Sequence, residues 1–138
     1  MKPISVLYLL ADDQTYRLLR GHGAELVEIA LRTADAFPDV EDLQNGRRHP
    51  GAESGPHGRT EEIERDRFAR HVVRALTEEW EKSGSDRIVI SAGPKMLGVL
   101  RKALPKSLTA HVAAELHKDL VKIAAHDLPP HLGEVPAV

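Results

Sequence analysis

The chain has 138 residues, 41% of them hydrophobic and 29% charged, with no cysteine and a formal net charge of −2. That length supports one globular domain, and the missing cysteines exclude a disulfide scaffold, thiolate metal sites and a cysteine nucleophile. No apolar run nears the ~20 residues of a membrane-spanning helix, and a near-neutral body attracts an anionic partner only through a local basic patch.

Ile4 to Ala11 is apolar on both alternating faces, the pattern of a central strand covered on each side. One lysine before Pro3 and no small-residue cleavage site argue against a secretory signal, so a cytoplasmic location is expected. Asp12-Asp13 break the run, and Gln14 to Arg20 predicts a second strand. Gly21-His22-Gly23 predicts a turn, because glycine takes positive φ at little steric cost. Glu25 to Arg32 predicts a third strand, which completes an antiparallel meander and makes the sheet mixed. As the end of that meander, Glu25–Arg32 offers an edge for dimerisation.

Periodicity vanishes from Thr33 to about Thr60. Within it, Gly46 to Thr60 holds four glycines, two prolines, Arg47, Arg48 and Arg59, with Glu53 as the single acid. The composition predicts a flexible loop, and a loop this long in a compact domain is functional or disordered. Thr60 predicts an N-cap, with Glu61-Glu62 favourable in the first helical turn. Phe68, Ala69, Val72, Val73, Leu76 and Trp80 then recur at helical spacing as one apolar stripe. Ile63 falls off that stripe, so the helix start is expected to project beyond the core. Ser83-Gly84 end the helix.

Arg87 to Ala92 predicts a second buried strand, and Gly93-Pro94 open a helix expected to run to Leu104. Pro105 stops it. Thr109 to Leu116 predicts the last strand and Lys118 to His126 a short helix, with Pro129-Pro130 ending regular structure. The resulting order, β-β-β-α-β-α-β-α, predicts a single-domain α/β protein with a three-layer arrangement.

The chemistry-bearing residues are sparse. Eight histidines invite a metal site, but neither His22, His49 and His57 nor His111, His117 and His126 have ligand spacing. Their ordinary reading is surface or half-buried imidazoles. Asp12 and Asp13 lie just past a central strand, where carboxylates gather to hold Mg²⁺, and Asp12 is the candidate metal ligand, although no further acids are marked by spacing. Ser91-Ala92-Gly93 sits at a strand-to-helix corner but lacks the Gly-x-Ser-x-Gly frame of a nucleophile elbow. Gly93 to Gly98 lacks a Walker ending, although Lys95 beside a helix start makes an anion contact. The sharpest feature is the arginine-bearing loop, whose guanidinium groups suit phosphates. Its bland reading is a solvated linker.

Several stretches together resemble the bacterial host attachment proteins, named for a role in bacteria adhering to host cells. They are the strand ending at Ala11-Asp12, Asp66-Arg67-Phe68-Ala69, the corner from Ile88 through Gly93-Pro94 to Leu97-Gly98-Val99-Leu100-Arg101, and Glu115-Leu116-His117-Lys118-Asp119-Leu120. That family resembles the middle domain of archaeal and eukaryotic peptide-chain release factors, which implies a ribonuclease-H-like α/β fold. In those factors a glycine-rich loop with a Gly-Gly-Gln tip precedes a Phe-Ala-Arg helix. Here Gly46–Thr60 precedes Phe68-Ala69-Arg70, but no Gly-Gly-Gln occurs, so peptide release is not expected.

The expectation is a non-catalytic, cofactor-free module that binds RNA or the ribosome. Arg47, Arg48 and Arg59 contact phosphates in this reading, and Lys95 and Lys118 extend the surface. The alternatives are a hydrolase of peptidyl-tRNA or a phosphodiester built on Asp12, and a protein-interaction module in an adhesion-related pathway.

Overall fold

The structure, a computed structural model, describes residues 4–22, 25–33 and 57–132. Strands β1 (Ser5–Ala11), β2 (Thr15–His22) and β3 (Glu25–Thr33) form the expected meander. Helix α1 (His57–Ser83), β4 (Arg87–Ala92), α2 (Pro94–Ala103), the single turn α3 (Lys106–Thr109) and β5 (Val112–Leu116) follow. A 3-10 turn (Ala125–Asp127) and the one-turn α4 (Pro129–Leu132) complete the described chain. The sheet order is β3-β2-β1-β4-β5. Strand β2 runs against β1 and β3, while β1, β4 and β5 are parallel. The protein is thus a single-domain α/β fold with a mixed five-stranded sheet.

Burial explains why the strands alternate as they do. Leu7, Leu9 and Ala11 of β1, with Tyr16 and Leu18 of β2 and Ile88 and Ile90 of β4, face a core closed by α1 and α2. Phe68, Ala69, Val72, Val73 and Leu76 are the α1 contribution, as their spacing predicts, and Met96, Leu97 and Leu100 that of α2. Each buried Val, Leu, Ile, Phe or Met side chain among them contributes about 1.5–3 kcal/mol of transfer free energy. The opposite face is smaller: Leu10 and Leu19 lie under Leu120, Val121, Leu128 and Leu132. Both faces of β1 are therefore dry, which is why its sequence reads as continuous apolar residues rather than an alternation.

Several local expectations are corrected. Gly21 and His22 belong to β2, where Gly21 pairs with Val6 and Leu26 and His22 with Ser5 and Glu25. Gly21 is there for close approach, since a Cβ would sit 2.8 Å from Tyr8 Cε2. Helix α1 begins at His57, so Thr60 lies inside its first turns rather than capping it, and the last four residues of Gly46–Thr60 are helical, not loop. The proline before His57 in the sequence suits a helix entry, where no N–H donor is required. At the other end Gly84, with φ +65°, leaves the helix in the left-handed conformation.

The predicted strand from Thr109 starts only at Val112. The Pro105 carbonyl collects the N–H groups of Leu108 and Thr109 and the Thr109 hydroxyl, which winds that stretch into α3 and buries Leu108. The helix expected over Lys118–His126 does not form either. Three of its backbone carbonyls are taken by the Arg17 side chain of β2, and Pro129 opens α4 instead of ending regular structure. The outer layer on that face is consequently an irregular strap, not a helix.

Candidate functional site

Parallel strands β1, β4 and β5 end together, and the sequence that follows each carries polar residues. After β1, Asp12 folds back on the chain. Its Oδ1 accepts the N–H groups of Gln14 at 2.8 Å and Thr15 at 2.7 Å, while its own N–H donates to the Thr15 carbonyl at 2.9 Å. That is an Asx-type turn, and it accounts for the carboxylate by local structure. Among the described residues no group of three or more His, Asp or Glu side chains is placed to hold a metal ion.

Asp13 ties this edge to α1. Arg65 NH2 lies 3.1 Å from Asp13 Oδ2, with Nε 3.3 Å from both carboxylate oxygens. The contact fixes where the helix crosses the edge. His57 lies eight residues earlier, so the amino end of α1 runs roughly 12 Å beyond the crossing at 1.5 Å per residue. Ile63, 49% exposed, confirms that this portion leaves the core. Arg59 is in the first turns of that projection.

After β4, Gly93 adopts an extended backbone as the N-cap of α2, and Pro94 and the exposed Lys95 are the first helical residues. The buried Ser91 donates its hydroxyl to the Lys118 carbonyl at 2.6 Å, so the corner serine is a structural tie rather than a nucleophile. That bond brings the segment after β5 alongside the β4 end. Lys118 Nζ turns toward the opposite face and donates to the His131 carbonyl at 3.3 Å. Lys95 and Lys118 therefore share an edge but flank different faces of the sheet, and Arg59 stands on the helix that overhangs it. Arg47 and Arg48 lie outside the described residues.

The side chain that sequence reasoning missed is Arg17. It is 3% exposed, on the sheet face opposite α1. Its Nε and NH2 meet Glu28 at 3.0 and 2.9 Å. Its NH1 donates to the carbonyls of Val121 at 2.9 Å and Ile123 at 2.5 Å, with Leu120 at 3.4 Å. The only signal in the sequence is a charge at a position whose strand neighbours are apolar. Farther along the same face, burial pushes the Tyr8 hydroxyl pKa up. At the far edge, Arg101 of α2 holds Glu115 of β5 at 2.6 Å, and that hydrogen bond raises the guanidinium pKa.

The fold and this edge define a single-domain α/β protein whose sheet is closed by helices on one face and an arginine-anchored strap on the other. The chain belongs to the family described as "Protein required for attachment to host cells", whose model matches residues 7–132. An uncharacterised protein of Rickettsia prowazekii (strain Madrid E) is 33% identical over 82 residues, which is 58% of this chain and 55% of that protein. The match thus spans about half the length of that curated relative. The solved structure of the Aquifex aeolicus PPX-GPPA enzyme aligns with 82% of this chain and 35% of its own at 11% identity, with a TM-score of 0.39. That likeness is too loose to define the fold. No helix among the described residues is long and apolar enough to cross a membrane.

Proposed function

We propose that this host attachment family member is a non-catalytic RNA-binding protein, engaging RNA either free or within the ribosome. The observation that carries the reading is the overhang: α1 projects past the sheet edge with Arg59 in its first turns, and exposed Lys95 opens α2 at the end of β4 on that edge. Arg47 and Arg48, which precede that helix in the sequence, and Lys118, at the same edge but on the other face of the sheet, complete the basic set of this reading. Phosphates are bound here by counterion release, so no strongly basic body is needed. Support for a ribonuclease-H-like reading of the fold, and for the likeness to release-factor middle domains, comes from the strand order with β2 reversed between its neighbours. Attachment to host cells then follows indirectly, through control of the messages or ribosomes that make surface components.

Filter binding of tRNA and of ribosomes across a salt series tests this. Replacing Arg47, Arg48 and Arg59 by Ala is expected to weaken binding and to flatten the log–log salt slope by about one unit for each phosphate that is no longer neutralised. Absence of binding at low salt, or a slope unchanged in the triple variant, overturns it.

A further inference from the structure

Among the described residues strand β3 is one outer edge of the sheet, and two of the three large apolar side chains exposed there, Val27 at 51% and Leu31 at 49%, lie on it. Edge strands are normally blunted with charges, proline or a bulge; β3 (ELVEIALRT) has no lysine or proline, and its charges, Glu25, Glu28 and Arg32, are of both signs. It does have a bulge. Leu18 pairs with Ala30 and Leu19 with Glu28, so Ile29 is the extra residue.

The bulge changes which residues share a face. Leu31 lies opposite Arg17, Glu28 opposite Leu19 and Leu26 opposite Gly21, which puts Leu26, Glu28 and Leu31 on the strap side. Arg32, Ala30, Val27 and Glu25 are on the helix side, opposite Tyr16, Leu18, Arg20 and His22. In an unbulged strand Leu26 and Leu31, five apart, point to opposite faces. Here they point to the same one.

We propose that β3 is a homodimerisation edge that pairs antiparallel with β3 of a second copy about a two-fold axis at Glu28. Counting outward from that axis, Val27 meets the Ile29–Ala30 bulge, Leu26 meets Leu31 and Glu25 meets Arg32. Each pairing occurs twice by symmetry. Both exposed apolar side chains gain an apolar partner on their own face, and each terminal charge gains its opposite, the match that stabilises cross-strand neighbours. The one like-charge meeting, Glu28 with its copy, is defused because both of its carboxylate oxygens are already held by Arg17 on the inner side. The two sheets become one of ten strands. This inference is independent of the RNA reading.

Sedimentation equilibrium on the full chain tests it with charge reversals at the ends of the strand. The wild type is expected to be a dimer, Glu25→Arg or Arg32→Glu alone to raise the dissociation constant by about tenfold or more, and the double reversal to restore it. Leu31→Lys is expected to give a monomer that keeps the wild-type circular dichroism, which separates failed association from failed folding. A wild type that stays monomeric at 100 μM-scale loading (roughly the range of weak homodimers), or a dimer indifferent to the single reversals, overturns the proposal.

Discussion

Arg17 and Glu28 meet in a two-pronged ion pair across β2 and β3, Nε to Oε2 at 3.0 Å and NH2 to Oε1 at 2.9 Å. The pair leaves NH1 to reach beyond the sheet, where it holds the carbonyls of the strap at Val121 and Ile123. One guanidinium thereby ties an edge strand, a central strand and the final segment of the described chain. Only a planar fork with several fixed donors does this, which separates Arg from Lys at the position.

Removing that side chain leaves several strap carbonyls without a donor in a dry region and takes the partner from Glu28, which keeps part of its contact with solvent. Arg17→Ala is expected to cost about 2–3 kcal/mol, mostly from the buried strap carbonyls left without a donor, since Glu28 can turn to solvent. Arg17→Lys is expected to recover little of it. Urea unfolding reads the loss, and hydrogen exchange places it: protection should fall first in residues 120–132. A loss below about 1 kcal/mol shows that the strap is held by Leu120, Val121 and Leu128 alone.

Gly21 and Tyr8 are coupled by contact. A Cβ at position 21 lands 2.8 Å from Tyr8 Cε2, so Gly21→Ala displaces the ring and is expected to cost about 1–3 kcal/mol. In a Tyr8→Val background the same change should cost much less. Additive losses in that double-mutant cycle count against the contact as the reason for glycine.

Asp12 serves the β1–β2 turn through one oxygen. Asp12→Asn keeps that acceptor and is expected to leave the melting temperature nearly unchanged, whereas Asp12→Ala loses two hydrogen bonds and about 1–2 kcal/mol. Thermal melts of the two variants decide. Equal losses in both point to the charge rather than the turn geometry.

Alkaline pH is expected to destabilise the fold. Burial raises the pKa of both Tyr8 and Tyr16 above the ordinary 10.0, and for Tyr16 the nearby Arg32 opposes that shift in part. A raised folded value means the contribution is fully present below pH 10 and is lost as pH climbs from the unfolded value through the folded one. Unfolding free energy measured from pH 8 to 11.5 (a window about 10) should decline above pH 10 and decline less in Tyr8→Phe. A flat profile contradicts burial of the hydroxyls.

Much of the architecture is readable before folding is considered. The all-apolar run of β1, the stripe from Phe68 to Trp80 and the Gly93-Pro94 corner are local patterns, and each matches its element closely because burial rewards that pattern directly. The errors share a different cause. Residues 118–126 have the composition of a helix, yet their carbonyls bond Arg17, about a hundred residues away in the chain, at |i−j| of 103 to 106. Gly21 looks like a turn until Tyr8 is laid over it.

The basic residues were legible as a set but not as a surface. Lys95 and Lys118 look equivalent in the chain, and the sheet between them sends one to the helix side and turns the other toward His131. Likewise the composition of β3 does not disclose that Leu26 and Leu31 share a face, because that depends on one unpaired residue in the ladder with β2.

The amino-acid order by itself determined that there would be a mixed sheet, a long amphipathic helix and a membership in the host attachment family. Those follow from periodicity and short motifs, which act over a few residues. Tertiary structure alone decided the helix that became a strap, the glycine held open for a tyrosine and the edge shaped by a bulge. Each depends on a partner distant in sequence, and local propensities of a few tenths of a kcal/mol per residue yield to a buried charge that must find its acceptors.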